Sequence, residues 1–126
     1  MTDSTAVIES FFAAIQAGDA DAVAALYHDD LAVWHSNDGK TQNKTENLRT
    51  LKAMMRVAVP RYEIAERFAL GDRVAQRHTL HLAAREGAKS AACDAAIFFT
   101  VRDGKIARID EYIDSAAVDA ITALFR

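Results

Sequence analysis

RYEIAERFALGDRVAQRHTLHLAAREGAKSAACDAAIFFTVRDGKIARIDEYID, residues 61–114, reads as strand after strand. Its β-branched and aromatic runs, residues 61–70, 73–84, 90–101 and 105–114, are divided by Gly71-Asp72, Glu86-Gly87 and Asp103-Gly104, each a turn signal at hairpin spacing. Four consecutive strands joined this way form an antiparallel meander. The chain before Pro60, its one proline, has a different period. Over residues 4–17 the apolar positions Val7, Ile8, Phe11, Phe12 and Ile15 recur every three or four residues, which predicts a helix with Ser4 as its cap and Gly18 as its stop. Asp19 is placed to cap a shorter helix carrying Ala22, Val23, Leu26 and Tyr27, ended by Asp29 and Asp30. A third helix is predicted over 45–57, with Leu48, Leu51, Met54 and Met55 on its buried side. Between the second and third helices, LAVWHS (31–36) is a short strand running into the turn residues Asn37, Asp38 and Gly39. Residues 115–126 can close the fold as a last helix. Helices first and a long-stranded sheet after is an α+β order, not a βαβ alternation.

The 126 residues match the size of a single domain, and no repeat, low-complexity tract or linker divides 1–126. Fifteen basic and 18 acidic residues give a net charge of −3. No basic run tracks a phosphate backbone, so nucleic acid is not expected as a partner. The start, MTDSTAVIESFF, has neither a basic n-region nor a continuous apolar stretch, and no segment reaches the ~18 apolar residues of a membrane span. Cys93, the one cysteine, allows no internal disulfide and no paired-cysteine motif. The expectation is a soluble, cytoplasmic protein.

AGDADAVAALYHDDLAVWHS (17–36) resembles the second helix and first strand of ketosteroid isomerases and SnoaL-like polyketide cyclases. VRDGKIARIDEYID (101–114) is similar to the final hairpin of the SnoaL-like and limonene epoxide hydrolase branches. The resemblance, to the nuclear transport factor two-like superfamily, covers nearly the whole chain in element order. It implies a cone-shaped fold, a curved antiparallel sheet packed on about three N-terminal helices around one apolar pocket. It also implies pairing of two copies through the sheet. A homodimer is expected on physical grounds too, since AAIFFTV is apolar on both faces and one monomer face cannot bury it all.

Residue by residue, the isomerases' general base falls on His35. Their two oxyanion donors fall on Phe11 and Ile97, neither of which donates a hydrogen bond. The hydrolases' middle-strand pair falls on His78 and Leu80, and their last-strand carboxylate on Glu111. Strand alternation is an independent guide: Leu31, Val33 and His35 share a face, as do Val74, Gln76, His78, Leu80 and Leu82, and Ile109, Glu111 and Ile113. A carboxylate on such an apolar face resists ionisation, and a histidine beside it can exchange a proton near neutral pH. His35, His78 and Glu111 are therefore the candidate catalytic residues, with Tyr27, Trp34, Phe11 and Ile97 as candidate lining for a small apolar ligand.

Each residue also has a plainer reading. His35 and His78 can be core histidines satisfied by structural hydrogen bonds. Glu111 can pair across strands with Arg77 or Arg108, and Tyr27 can be core. Asp38 is a turn residue and His81 faces solvent or a second copy. Arg67, Arg73, Arg77 and Arg85, interleaved with Glu63, Glu66 and Glu86, read as a solvated mixed-charge face. Two histidines and a carboxylate suit a metal chemically, but no HxH or HxxxH spacing supports one, so neither metal nor cofactor is expected. Three functions stay open. The chain is a cofactor-free isomerase, cyclase, lyase or hydrolase acting on a small apolar carbonyl, enolisable or epoxide compound; or a ligand-binding module without turnover; or a structural dimerisation domain.

Overall fold

Asp3, not Ser4, caps the first helix, its carboxylate accepting from the Thr5 N–H at 3.0 Å, while the Ser4 hydroxyl reaches across to Gly71 O. The structure, a computed structural model, describes residues 3–124. α1, Ser4–Gln16, buries Val7, Ile8, Phe11, Phe12, Ala14 and Ile15. It stops at Gly18, whose φ of +70° lets its N–H reach Ile15 O and lets the Asp19 N–H reach Ala14 O. α2, Ala20–Leu26, is capped by Asp19 as the sequence implies.

The second helix is shorter than predicted. Tyr27 opens β1, Tyr27–His35, so Tyr27 lies on the first strand and Asp29 and Asp30 lie within it. The physical reason is tertiary: Tyr27 pairs with Ile106 of the last strand, and its ring, 1% exposed, belongs to the core. β2, Thr41–Gln42, is a two-residue strand on the edge beside β1, too short to leave a periodic signal. α3, Lys44–Val57, begins with a capping box in which Asn43 and Glu46 bind each other's backbone N–H. β3, Ala58–Leu70, then takes in Pro60, which its edge position tolerates. β4 (Arg73–Ala84), β5 (Ser90–Arg102) and β6 (Lys105–Ile113) complete the meander, and α4, Ser115–Leu124, follows. The rest of the closing helix foreseen to residue 126 lies outside the described residues.

The six strands run in the order β2-β1-β6-β5-β4-β3. All neighbours are antiparallel except β1 and β6, which are parallel, a contact between chain segments too distant to be legible as a hairpin. Asp103 and Gly104, with φ of 56° and 73°, make the tight β5–β6 turn. Register shifts between β3 and β4, between β5 and β6 and between β1 and β6 bend the sheet around α1 and α3. The core between them is aromatic: Phe11 and Phe12 of α1 lie 5.6 and 5.9 Å from Phe99 of β5. Among the described residues no helix is long and apolar enough to cross a membrane.

Candidate active site

One row of residues crosses four strands on the inner face of the sheet: Gln76 of β4 pairs with Ile97 of β5, Ile97 with Glu111 of β6, and Glu111 with His35 of β1. Two of the predicted residues thus meet. His35 Nε2 lies 3.4 Å from Glu111 Oε1, and the side chains keep 25% and 19% of their surface. Burial pushes the Glu111 carboxyl up to about 7 and lowers the His35 pKa, against which Asp38 acts weakly. Near neutral pH the Glu111 carboxyl is therefore divided between its two protonation states, and burial favours the neutral imidazole beside it. The cross-strand alternatives for Glu111 are not realised, because Arg77 holds Glu66 at 3.0 Å and Arg108 holds Asp110 at 2.8 Å.

His78 also faces inward but does not join this pair. It sits two strands away and two residues along, so its backbone is about 12 Å from that of Glu111. Its ring, 2% exposed, packs edge-on against Phe12 at 5.7 Å and Tyr62 at 5.1 Å. Burial and the nearby Arg67 cation push its pKa down to about 4. Nδ1 lies 2.8 Å from Gln76 Nε2, and the oxygen of that amide accepts from Arg67 Nε at 2.7 Å.

The lining residues divide. Phe11 and Ile97, 3% and 4% exposed, lie on the inner face as expected. Tyr27 is there too, but its hydroxyl donates to Asn47 Oδ1 at 2.6 Å, and Asn47 in turn donates to Gln42. Trp34 does not share the face of His35, because adjacent strand residues point opposite ways; its ring lies 5.2 Å from Tyr112 on the outer face. Asp38 is a turn residue, accepting from the Lys40 N–H at 2.9 Å, and His81 meets the exposed Glu63 at 2.8 Å.

Tyr62 and Asn47 went unread in the sequence, and Arg67 was assigned there to a solvated charge face. Tyr62 and Arg67 are five residues apart, which on a regular strand sends them to opposite faces. An extra residue, Ala65, interrupts the β3–β4 ladder between Ile64 and Glu66. Tyr62 therefore pairs with Leu80 and Arg67 with Gln76, both inward-facing partners. Arg67 is consequently not part of a solvated charge face: its side chain is 14% exposed, lies 5.8 Å over the Phe12 ring and reaches Glu9 at 3.8 Å. Gln76 was legible as a polar residue on an apolar strand face, and Asn47 as a polar interruption of the buried side of α3.

Among the described residues, no group of three His, Cys, Asp or Glu side chains is arranged to hold a metal ion. Two concavities open elsewhere on the molecule. One of about 570 Å3 on the outer face is lined by Arg73, Ala96, Phe98, Asp110 and Tyr112. One of about 790 Å3 lies between the start of α1 and the turns at Gly71 and Gly104. Neither borders His35, Glu111 or His78.

Residues 8–109 match the model of the SnoaL-like domain. Among solved structures, a candidate polyketide cyclase of Xanthomonas campestris pv. campestris superposes with a TM-score of 0.79 at 21% identity, over 98% of this chain and 96% of that one. An LEH-like epoxide hydrolase of M. tuberculosis gives 0.78 at 22% identity, over 96% and 93%. A Catenulispora acidiphila protein with a ketosteroid isomerase-like fold gives 0.77 at 16%, over 94% and 92%. These likenesses establish a shared fold. No sequence among the curated proteins matches the chain.

Proposed function

The chain belongs to the SnoaL-like domain family, and from that membership we propose that it is a small-molecule enzyme using cofactor-free acid–base chemistry, with Glu111 moving the proton. The observation that carries this reading is the half-buried Glu111 carboxyl, held 3.4 Å from His35 Nε2 and pushed up to about 7. A carboxyl titrating near the working pH is the group best matched to taking a proton and returning it. On a carbonyl compound, ionised Glu111 takes a proton from the adjacent carbon. The C–H electron pair becomes a C=C bond, and the carbonyl electrons move onto oxygen. The protonated carboxyl then returns the proton to a different carbon, which re-forms the carbonyl and gives an isomer. Where the enolate carbon instead attacks a second carbonyl of the same compound, that carbonyl's oxygen takes the proton and a ring closes; where a β-hydroxyl is present, it takes the proton and leaves as water. With an epoxide the same carboxyl, protonated, gives its proton to the ring oxygen as a water attacks a ring carbon and the C–O bond breaks, and the proton lost by that water returns to the carboxylate. His35 orients Glu111 and relays the proton, and His78 orients or polarises the substrate from across the sheet.

The test is a turnover assay over a panel of small ketones, aromatic polyketide fragments and epoxides. Glu111→Gln is expected to lower turnover at least about a hundredfold while ligand affinity changes only a few fold. The wild-type rate is expected to titrate near pH 7. Turnover surviving in Glu111→Gln overturns the reading. A second reading, ligand binding without turnover, is favoured by the concavities lying away from the pair. It predicts that a ligand binds without being turned over and that Glu111→Gln and His35→Ala leave its affinity unchanged.

A further inference from the structure

We infer that Arg67 and Gln76 act as positioning residues that lock His78 in its neutral Nε2–H tautomer, so that His78 serves the site as a hydrogen-bond donor to a ligand oxygen and not as a base. This rests on the acid–base reading of the site and names the group that recognises the substrate. The Arg67 Nε–H can only donate, so the Gln76 group facing it at 2.7 Å is the amide oxygen. The other end of that amide, Nε2, can then only donate, and it lies 2.8 Å from His78 Nδ1. Nδ1 must accept, which places the single proton of the neutral ring on Nε2. Arg67 is itself held, by Glu9 at 3.8 Å and by the face of Phe12, so the amide cannot turn over without leaving the buried guanidinium and imidazole unmatched.

The surroundings keep the ring uncharged. Arg67 and Tyr62 of β3 and Gln76 of its own strand are the polar groups around it, Glu9 is spent on Arg67, and the facing residues Phe12 of α1 and Ala95 of β5 offer nothing to an imidazolium. No described residue accepts from Nε2. Yet no sealed side-chain nitrogen or oxygen among the described residues lacks a partner, so Nε2 keeps a sliver of exposed surface within a residue only 2% exposed. A neutral imidazole N–H of this kind suits a carbonyl or epoxide oxygen whose negative charge grows during reaction. Such a donor also supplies what Phe11 and Ile97 cannot.

Long-range proton–nitrogen spectra of 15N-labelled protein read the tautomer directly. The four histidines are assigned by substituting His28, His35 and His81 in turn. The expected result is a pyridine-type Nδ1 and a pyrrole-type Nε2 at His78. Gln76→Glu, nearly isosteric, replaces the donor by an acceptor and is expected to move the proton to Nδ1. Arg67→Met, should Gln76→Glu not fold, is expected to give a mixture of tautomers. A pyrrole-type Nδ1 in the wild type, or one unchanged tautomer in these variants, overturns the inference. Cyclohexanone and methylcyclohexane then test the donor role. The ketone is expected to shift the Nε2 signal and to bind roughly tenfold more weakly to Gln76→Glu, the hydrocarbon to bind both alike. Equal weakening of the two, or no Nε2 shift with the ketone, overturns it. A tautomer that is right while Glu111→Gln retains turnover overturns the acid–base reading alone.

Discussion

Glu111 and His78 are two inward-facing groups whose protonation the fold biases in opposite senses. Burial raises the Glu111 pKa from 4.5 to about 7, so the fold favours its protonated form. Its stabilising contribution is full below about pH 4.5 and is lost as pH rises through 7, by up to roughly 3 kcal/mol. Burial and Arg67 lower His78 from 6.5 to about 4, so its contribution is full above pH 6.5 and is lost as pH falls through 4. Glu111→Gln cannot ionise. Relative to wild type it is expected to gain roughly 2–3 kcal/mol in unfolding free energy between pH 4.5 and pH 8, read from denaturant titrations at the two values. A difference that does not change with pH would place the carboxyl in a wetter setting than its 19% exposure implies. Retaining a carboxylate at a cost in stability is the signature expected of a group kept for its chemistry.

At the scale of elements, the site depends on how β1 and α3 are set against the sheet. β1 carries His35 to Glu111 only because it returns in parallel beside β6, and Ser36 locks the junction by bonding with both N–H and C=O of Ile113. α3 acts on the same strand from its other end, through Asn47 and the Tyr27 hydroxyl. Its start is set by the Asn43–Glu46 capping box. Asn43→Ala is therefore expected to cost about 1 kcal/mol, seen as a lower midpoint of thermal unfolding, while leaving the pH dependence of Glu111 unchanged. A loss of several kcal/mol would mean that the cap holds more of the fold than one helix start. In β3 the extra Ala65 is the device that puts both Tyr62 and Arg67 on the inner side.

Among the described residues, exposed apolar side chains gather on the outer face of the sheet. Phe68, Leu70, Phe98 and Tyr112 are 64%, 85%, 38% and 52% exposed there, with Trp34 packed beside Tyr112. We propose that a second copy covers this face. Sedimentation at micromolar concentration is expected to give a dimer, and Phe98→Lys a monomer that keeps its fold; a monomeric wild type would refute the pairing. At this scale much was legible in the chain itself. The meander, the α+β order and the inward parity of His35, His78 and Glu111 follow from periodicity and turn chemistry, because an alternating strand between Asp-Gly and Gly-Asp turns has few other ways to hide its apolar side. Local signals could not show that Tyr27 leaves its helix to pair with Ile106, that Ala65 shifts the parity of β3 and brings Arg67 inside, or that His35 meets Glu111 while His78 stays apart. Those outcomes depend on contacts between residues tens of positions apart, whose energies outweigh the local preferences of the segments that make them.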